Sequence, residues 1–203
     1  MATIILILFA PMVIVYCTTN DAKKSETKPP AGSVANEVSV ERGKYLIVAG
    51  GCNDCHTPKM MTPEGPRVDS SKLLSGHPAN QPLPNINVDA LKPGGWVNFA
   101  PDLTTFVGPW GLSFAANLTS DSATGIGAWS ESNFVNAIRK GKHMGMDNGR
   151  PIMPPMPWDN YAHLEDNDLK SIFAYLKTTV PVNNRVHEPY SPAEVEELAK
   201  KQQ

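Results

Sequence analysis

Four stretches of the chain carry helical spacing, and a long middle stretch carries none. The first runs over 37–49, where Val40, Gly43, Tyr45-Leu46 and Ile47 form one packed side and Gly50-Gly51 stops the helix. Gly43 falls in the interior of that helix, where glycine costs up to about 1 kcal/mol relative to alanine, so close approach by another helix is expected there. A second helix begins at Ser130, with Trp129 placed to staple onto Phe134 and Gly141 near its end. A third covers 166–178 with Leu169, Ile172, Phe173 and Leu176 as its apolar stripe, and Pro181 lies beyond it. Ser191-Pro192-Ala193-Glu194 is a capping box with proline at the first helical position, so the charged, weakly amphipathic tail over 189–203 is expected to form a short helix. Between Thr57 and Thr124 no period persists, and mostly loops with short helical turns are expected.

At the start of the chain the pattern changes character. Residues 4–16 (IILILFAPMVIVY) are uncharged and almost wholly apolar, which suits the core of an export signal better than the roughly 20 residues of a membrane span. No Lys or Arg precedes Lys23, so the usual basic leader is missing. Residues 1–17 are therefore expected to be a signal peptide, a lipoprotein signal with Cys17 as the acylated residue, or a membrane anchor. Tyr16 departs from the small residue that lipid attachment prefers. Residues 18–36 are polar and rich in Lys, Thr, Pro and Ser, and read as a flexible linker to a domain over 37–188.

Composition adds three exclusions. The 203 residues include 19 Pro and 15 Gly without a period, about one residue in six against a usual one in eight, so ordered loop is expected and collagen is excluded. With 18 basic against 20 acidic residues the formal charge is -2, which offers no electrostatic footprint for nucleic acid. Three cysteines are too few for a disulfide scaffold.

The chemistry sits in Cys52-Asn53-Asp54-Cys55-His56, a C-x-x-C-H that matches the attachment motif for one c-type haem. Two thiols one turn apart can form thioethers with the haem vinyl groups, and the adjacent His56 then meets the iron. A thioredoxin-like pair would follow a strand and open a helix, whereas here a helix precedes and loop follows. A zinc knuckle needs a second ligand pair, and His77, His143, His163 and His187 lack that spacing. A plain Cys52–Cys55 disulfide is the least informative rival.

With these residues in view, the chain resembles class I, single-haem bacterial cytochromes c with an enlarged loop region between the haem motif and a distal methionine. The resemblance rests on the helix with Gly43 and Tyr45-Leu46-Ile47, on Asn117 to Asp121 with Thr124 to Trp129, on Arg139 to His143, and on Pro154-Pro155-Met156-Pro157-Trp158. It extends to the cytochrome subunits and domains of membrane-bound alcohol and aldehyde dehydrogenases, and covers roughly 37–188. The stretch from Lys59 to Trp110 departs from small cytochromes c.

The resemblance implies an all-α cytochrome c fold with a loop-rich insertion. It also implies contact of Gly43 and Ile47 with Ile172, Tyr175 and Leu176, and places the sixth iron ligand at Met156. Pro155 and Pro157 stiffen the backbone on either side of Met156. Met153 is the next choice, ahead of Met144, Met146 and His143. Trp158, and less directly Trp110 and Trp129, are expected to wall the haem. Arg139, Lys142 and Arg150 are either propionate partners or solvated surface charges. Asn117-Leu118-Thr119 matches a glycosylation acceptor, which the bacterial resemblance discounts.

The implied function is electron transfer by an exported carrier, in the periplasm or on the outer face of a bacterial membrane, where lipid attachment at Cys17 is one of the three expected fates of residues 1–17. Electrons would come from a dehydrogenase or quinol-oxidising complex and pass to another cytochrome or an oxidase, without a small-molecule substrate or nucleic acid. The rival classes are a peroxidase-like haem enzyme with a displaceable sixth ligand, and a structural or electron-relay subunit of a respiratory complex.

Overall fold

Ser39 opens the first helix. Its Oγ accepts from the Arg42 amide (3.1 Å), so α1 spans Val40–Ala49 and starts three residues later than the spacing alone suggests. The structure, a computed structural model, describes residues 37–202; the expected signal or anchor over 1–17 with Cys17, and the expected linker over 18–36, lie outside the described residues. Among the described residues no helix is long and apolar enough to cross a membrane.

The helical frame is built on the pairing of α1 with α5, Asp166–Leu176. A Cβ on Gly43 would sit 1.9 Å from the Ser171 carbonyl oxygen and 2.8 Å from Tyr175 Cβ, so the two backbones meet where a side chain has no room. Arg42 then grips Asp168 with two hydrogen bonds, Nε to Oδ1 at 2.8 Å and Nη2 to Oδ2 at 3.0 Å. The Ser39 amide donates to Ser171 Oγ (3.1 Å). Ile47, Ile172 and Leu176 are buried here, as the resemblance implied.

The remaining frame helices are α2 (Cys52–His56), α3 (Glu131–Lys140) and the short α4 (Trp158–Tyr161). The expected start of α3 is found: Ser130 caps it, with Asn133 completing a reciprocal capping box. Gly141 ends it in the left-handed conformation (φ 60°). Phe134 meets Phe173 with ring centroids 5.5 Å apart, closing a core with Ile47, Leu74, Ile126, Ile172 and Leu176.

The middle stretch departs from expectation. Besides 3₁₀ turns at Ser70–Lys72 and Val88–Leu91, it forms five short strands. β1 (Lys59–Thr62) and β2 (Gly65–Val68) make one antiparallel hairpin. β3 (Asn98–Phe99), β4 (Thr105–Gly108) and β5 (Gly111–Phe114) make an antiparallel sheet in that order. Strands of two to four residues show too little alternation to detect. Every residue of β4 is buried, so the period-2 signal is absent there altogether. The fold remains predominantly helical, with its strands confined to the insertion.

The C-terminal helix is more than a tail. α6 (Pro192–Lys201) has the expected capping box and Pro192 at its start. It buries Val195 (0% exposed) against Ala90, Val107 and Leu112, forming the insertion's own core. Tyr190 and Leu112 exchange backbone hydrogen bonds of 3.0 and 2.9 Å, extending β5 by one bridge. Asn117 is also structural: its Nδ2 donates to the carbonyls of Val182 (2.8 Å) and Asn184 (3.2 Å), so this buried amide is occupied.

Candidate haem-attachment site

Gly51 adopts a left-handed conformation (φ 67°) and turns the chain from α1 directly into α2. That single turn carries Cys52, Cys55 and His56. The two cysteines are free thiols at i and i+3, hence on the same side of the turn. Burial pushes the Cys52 thiol up to about 11 and raises Cys55 as well. A redox dithiol of the thioredoxin kind needs the opposite shift, towards a ready thiolate. Among the described residues no group of three His, Cys, Asp or Glu side chains is arranged to hold a metal ion.

His56 is oriented from outside its own helix. Its Nδ1 lies 2.8 Å from the Ala116 carbonyl oxygen, which can only accept, so Nδ1 carries the proton and Nε2 keeps its lone pair. Burial lowers the pKa of the ring, with the Ala116 bond opposing, and the neutral form is the one that can ligate iron. Two thiols on one turn and an imidazole with its donor nitrogen left free fit a c-type haem.

Backbone bonds hold the acceptor in place. Gly76 donates to His56 O (2.8 Å), His77 to Ala115 O (2.9 Å) and Leu118 to Leu74 O (2.8 Å), so residues 74–77 bridge the motif to the 115–118 segment. Thr57 Oγ1 donates to Asn53 Oδ1 (3.0 Å) and accepts from the Leu74 amide (2.9 Å). Lys59 donates to the carbonyls of Asp54 and Asp102, fastening the insertion to the end of α2.

The expected distal residues lie between α3 and α4. Met156 and Met153 are half-buried, and the Met156 amide donates to Met153 O (3.3 Å) while Trp158 donates to Met156 O (2.9 Å). The Trp158 indole lies flat against Gly141, where a Cβ would come within 2.4 Å of the ring. Tyr161 donates its hydroxyl proton to Gly50 O (2.5 Å), tying α4 to the residue that precedes the attachment turn. Of the expected propionate partners, Arg139 pairs with Asp166 (2.6 Å) and Arg150 with Glu188 (2.9 Å). Met144 and Met146 are exposed. Ala116 and Tyr161 escape sequence reasoning, because a carbonyl has no residue-type signature and single hydroxyls are common.

One buried histidine lies outside the attachment turn. His77 is 1% exposed, and its Nδ1 is 2.8 Å from Thr104 Oγ1 and 2.9 Å from Thr105 Oγ1. Thr104 Oγ1 donates to Asp102 Oδ2 (2.8 Å), so it must accept from His77 Nδ1–H. His77 Nε2 is buried with no hydrogen-bond partner among the described residues. Burial therefore lowers its pKa, against Asp102 and with help from His187. The unfolded chain takes up this proton near pH 6.5 and the folded chain only at a lower pH, so stability should hold above that value and fall below it. The expected loss is up to about 1.4 kcal/mol per pH unit until the folded pKa is reached. Denaturant midpoints between pH 8 and pH 5 measure this slope, to which the buried His56 and half-buried His143 also contribute, and His77→Gln should reduce it; an unchanged slope would refute the assignment.

No family model matches the chain. Relatives are nonetheless found among cytochrome subunits. The gluconate 2-dehydrogenase cytochrome c subunit of Pantoea cypripedii is 30% identical over 145 residues, covering 71% of this chain and 24% of its own length. The fructose dehydrogenase cytochrome subunit of Gluconobacter japonicus is 28% identical over 168 residues, covering 83% of this chain and 26% of its own. The cytochrome c subunit of the quinone-dependent alcohol dehydrogenase of Gluconobacter oxydans is 26% identical over 141 residues, or 70% of this chain and 21% of that protein. The chain thus spans about a quarter of the length of these curated relatives. It shares with them a likeness at the level of a haem-binding cytochrome unit, and its one c-type haem attachment site is Cys52, Cys55 and His56.

Proposed function

We propose, for a chain that is a distant relative of c-type cytochrome subunits of dehydrogenase and oxidase complexes, that it relays single electrons. In this reading His56 and Met156 would hold the haem iron. The observation that carries it is the His56 ring: its Nδ1 is spent on Ala116 O, and its free Nε2 stands on the same turn as both thiols. When bound, haem c supplies a one-electron ferric/ferrous couple, and a thioether ligand favours its ferrous form.

The chain's own contribution is rigidity. Met156 sits between two prolines, with its amide bonded to Met153 O and its carbonyl accepting from Trp158, which would hold its thioether in one place. Trp158 follows two residues later and belongs to the proposed haem wall. The names of the relatives, cytochrome subunits of a gluconate 2-dehydrogenase and a fructose dehydrogenase, support a dehydrogenase as donor; a quinol-oxidising complex is the other proposed donor, and a downstream cytochrome or oxidase the proposed acceptor. The apolar run over 4–16 supports export, with Cys17 as the lipid-anchored residue on the outer face of the membrane.

Full-length protein matured in a host that attaches haem tests the reading. It should retain one haem through denaturing electrophoresis, cycle reversibly by one electron, and leave its ferrous form unreactive towards carbon monoxide. Rapid carbon monoxide binding together with peroxide turnover by the wild type would overturn it, in favour of a haem enzyme with a displaceable sixth ligand.

A further inference from the structure

The segment 151–157 contains four prolines, at 151, 154, 155 and 157, and so offers backbone N–H groups at Ile152, Met153 and Met156 alone. Ile152 donates to Gly141 O (2.8 Å) and Met156 to Met153 O (3.3 Å), both within the same local loop system. A loop this poor in donors must be held by donors that reach its carbonyls from elsewhere. The insertion provides one. Ser113 on β5, 4% exposed, donates its hydroxyl proton to Pro154 O at 2.5 Å. Its oxygen accepts in turn from Trp110 Nε1–H at 3.2 Å, so the hydroxyl has both a proton donor behind it and an acceptor ahead.

Trp110 is itself immobilised. It lies in the β4–β5 turn with its ring against Gly108, where a Cβ would come within 2.4 Å of it. Three residues beyond Ser113, the same run of chain presents the Ala116 carbonyl to His56 Nδ1 (2.8 Å). Between them Ala115 is fixed by its amide to Thr104 O and its carbonyl to the His77 amide, both at 2.9 Å. The far end of β5 is fixed by the Leu112–Tyr190 bridge.

We infer that Ser113, backed by Trp110, is a positioning residue for the sixth ligand. One run of the insertion, 110–116, holds the loop of Met156 through Ser113 and the ring of His56 through Ala116. This rests on the proposed ligation by Met156 and gives the insertion a role in that site. Removing the serine hydroxyl frees Pro154 O while leaving both ligands present. The distal loop then opens more readily, and an external ligand competes better for the iron.

The test compares ferric holoprotein of the wild type, Ser113→Ala, Ser113→Thr, Trp110→Phe and Met156→Ala. It measures imidazole affinity, the far-red methionine-to-iron charge-transfer band and the pH at which that band disappears. Ser113→Ala should keep its covalent haem and its circular dichroism. It should bind imidazole about tenfold more tightly, on the scale of one lost hydrogen bond, and lose the band at lower pH. Ser113→Thr should restore wild-type behaviour, and Trp110→Phe should shift both readouts in the direction of Ser113→Ala by less. Should Ser113→Ala reduce haem incorporation, the Trp110→Phe and Ser113→Thr pair carries the same comparison with the hydroxyl present. Wild-type imidazole affinity and pH behaviour in Ser113→Ala and Trp110→Phe, with the band lost in Met156→Ala, would overturn the positioning role and leave Met156 as ligand. A band that survives in Met156→Ala would overturn the ligation itself.

Discussion

Gly43→Ala should cost the protein about 3 kcal/mol or more, a large share of the roughly 5–15 kcal/mol that holds a domain folded. Helix propensity alone points the other way, since alanine is favoured over glycine by about 1 kcal/mol in a helix interior. Geometry decides the sign. The new methyl would lie 1.9 Å from a backbone oxygen of α5 and 2.8 Å from Tyr175 Cβ. A backbone atom cannot rotate aside as a side chain can, so α1 and α5 must separate. Separation loosens the Arg42–Asp168 pair and the packing of Ile47 on Ile172 and Leu176. Because α1 leads directly into the attachment turn, the haem-loading yield should fall along with stability. Denaturant unfolding of the holoprotein measures the effect, with exposed Lys44→Ala as the control. A midpoint for Gly43→Ala within error of the control would show that the two helices do not meet at this residue.

Met156→Ala should abolish the far-red charge-transfer band and lower the reduction potential by an amount on the order of 0.1 V or more. The scale is set by the span of about 0.8 V that axial ligands cover in haem proteins. Loss of the thioether removes the ligand that favours ferrous iron, so the direction follows from the chemistry. The vacated position should admit carbon monoxide in the ferrous protein. Met153→Ala should retain the band and change the potential only through packing. Spectra and potentiometry of the two variants separate the possibilities: if Met153→Ala loses the band and Met156→Ala keeps it, the ligand is Met153 and the electron-carrier reading stands in a shifted register.

The legible parts of the protein share a physical origin. Ser130 and Gly141 bound α3, and Ser191 with Pro192 starts α6, because caps act within one turn of the chain and need no partner from elsewhere. The stripe of α5 was readable because eleven residues are enough for a 3.6-residue period to show. Cys52, Cys55 and His56 were readable for the same reason: their chemistry requires them on one turn, and adjacency in space is then adjacency in sequence. Even Gly43 carried its message, since a glycine in the middle of a helix asks for a close neighbour, although Ser171 as that neighbour did not follow from sequence.

The insertion was the illegible part. Its strands are two to four residues long, and β4 is buried along its whole length, so neither period nor alternation marks them. Their pairing, and the covering of the sheet by Val195 of α6, depend on residues far apart in the chain. The same applies to what surrounds the attachment turn. His56 leans on a carbonyl 60 residues away, and Pro154 is held by a hydroxyl 41 residues away. By itself the sequence determined the longer helices, the caps of α3 and α6 and the chemical identity of the attachment turn, all of which are written in local spacing. The tertiary structure alone decided which carbonyl orients His56 and which strand steadies the methionine loop, because hydrogen bonds between distant segments exist only once the chain has folded.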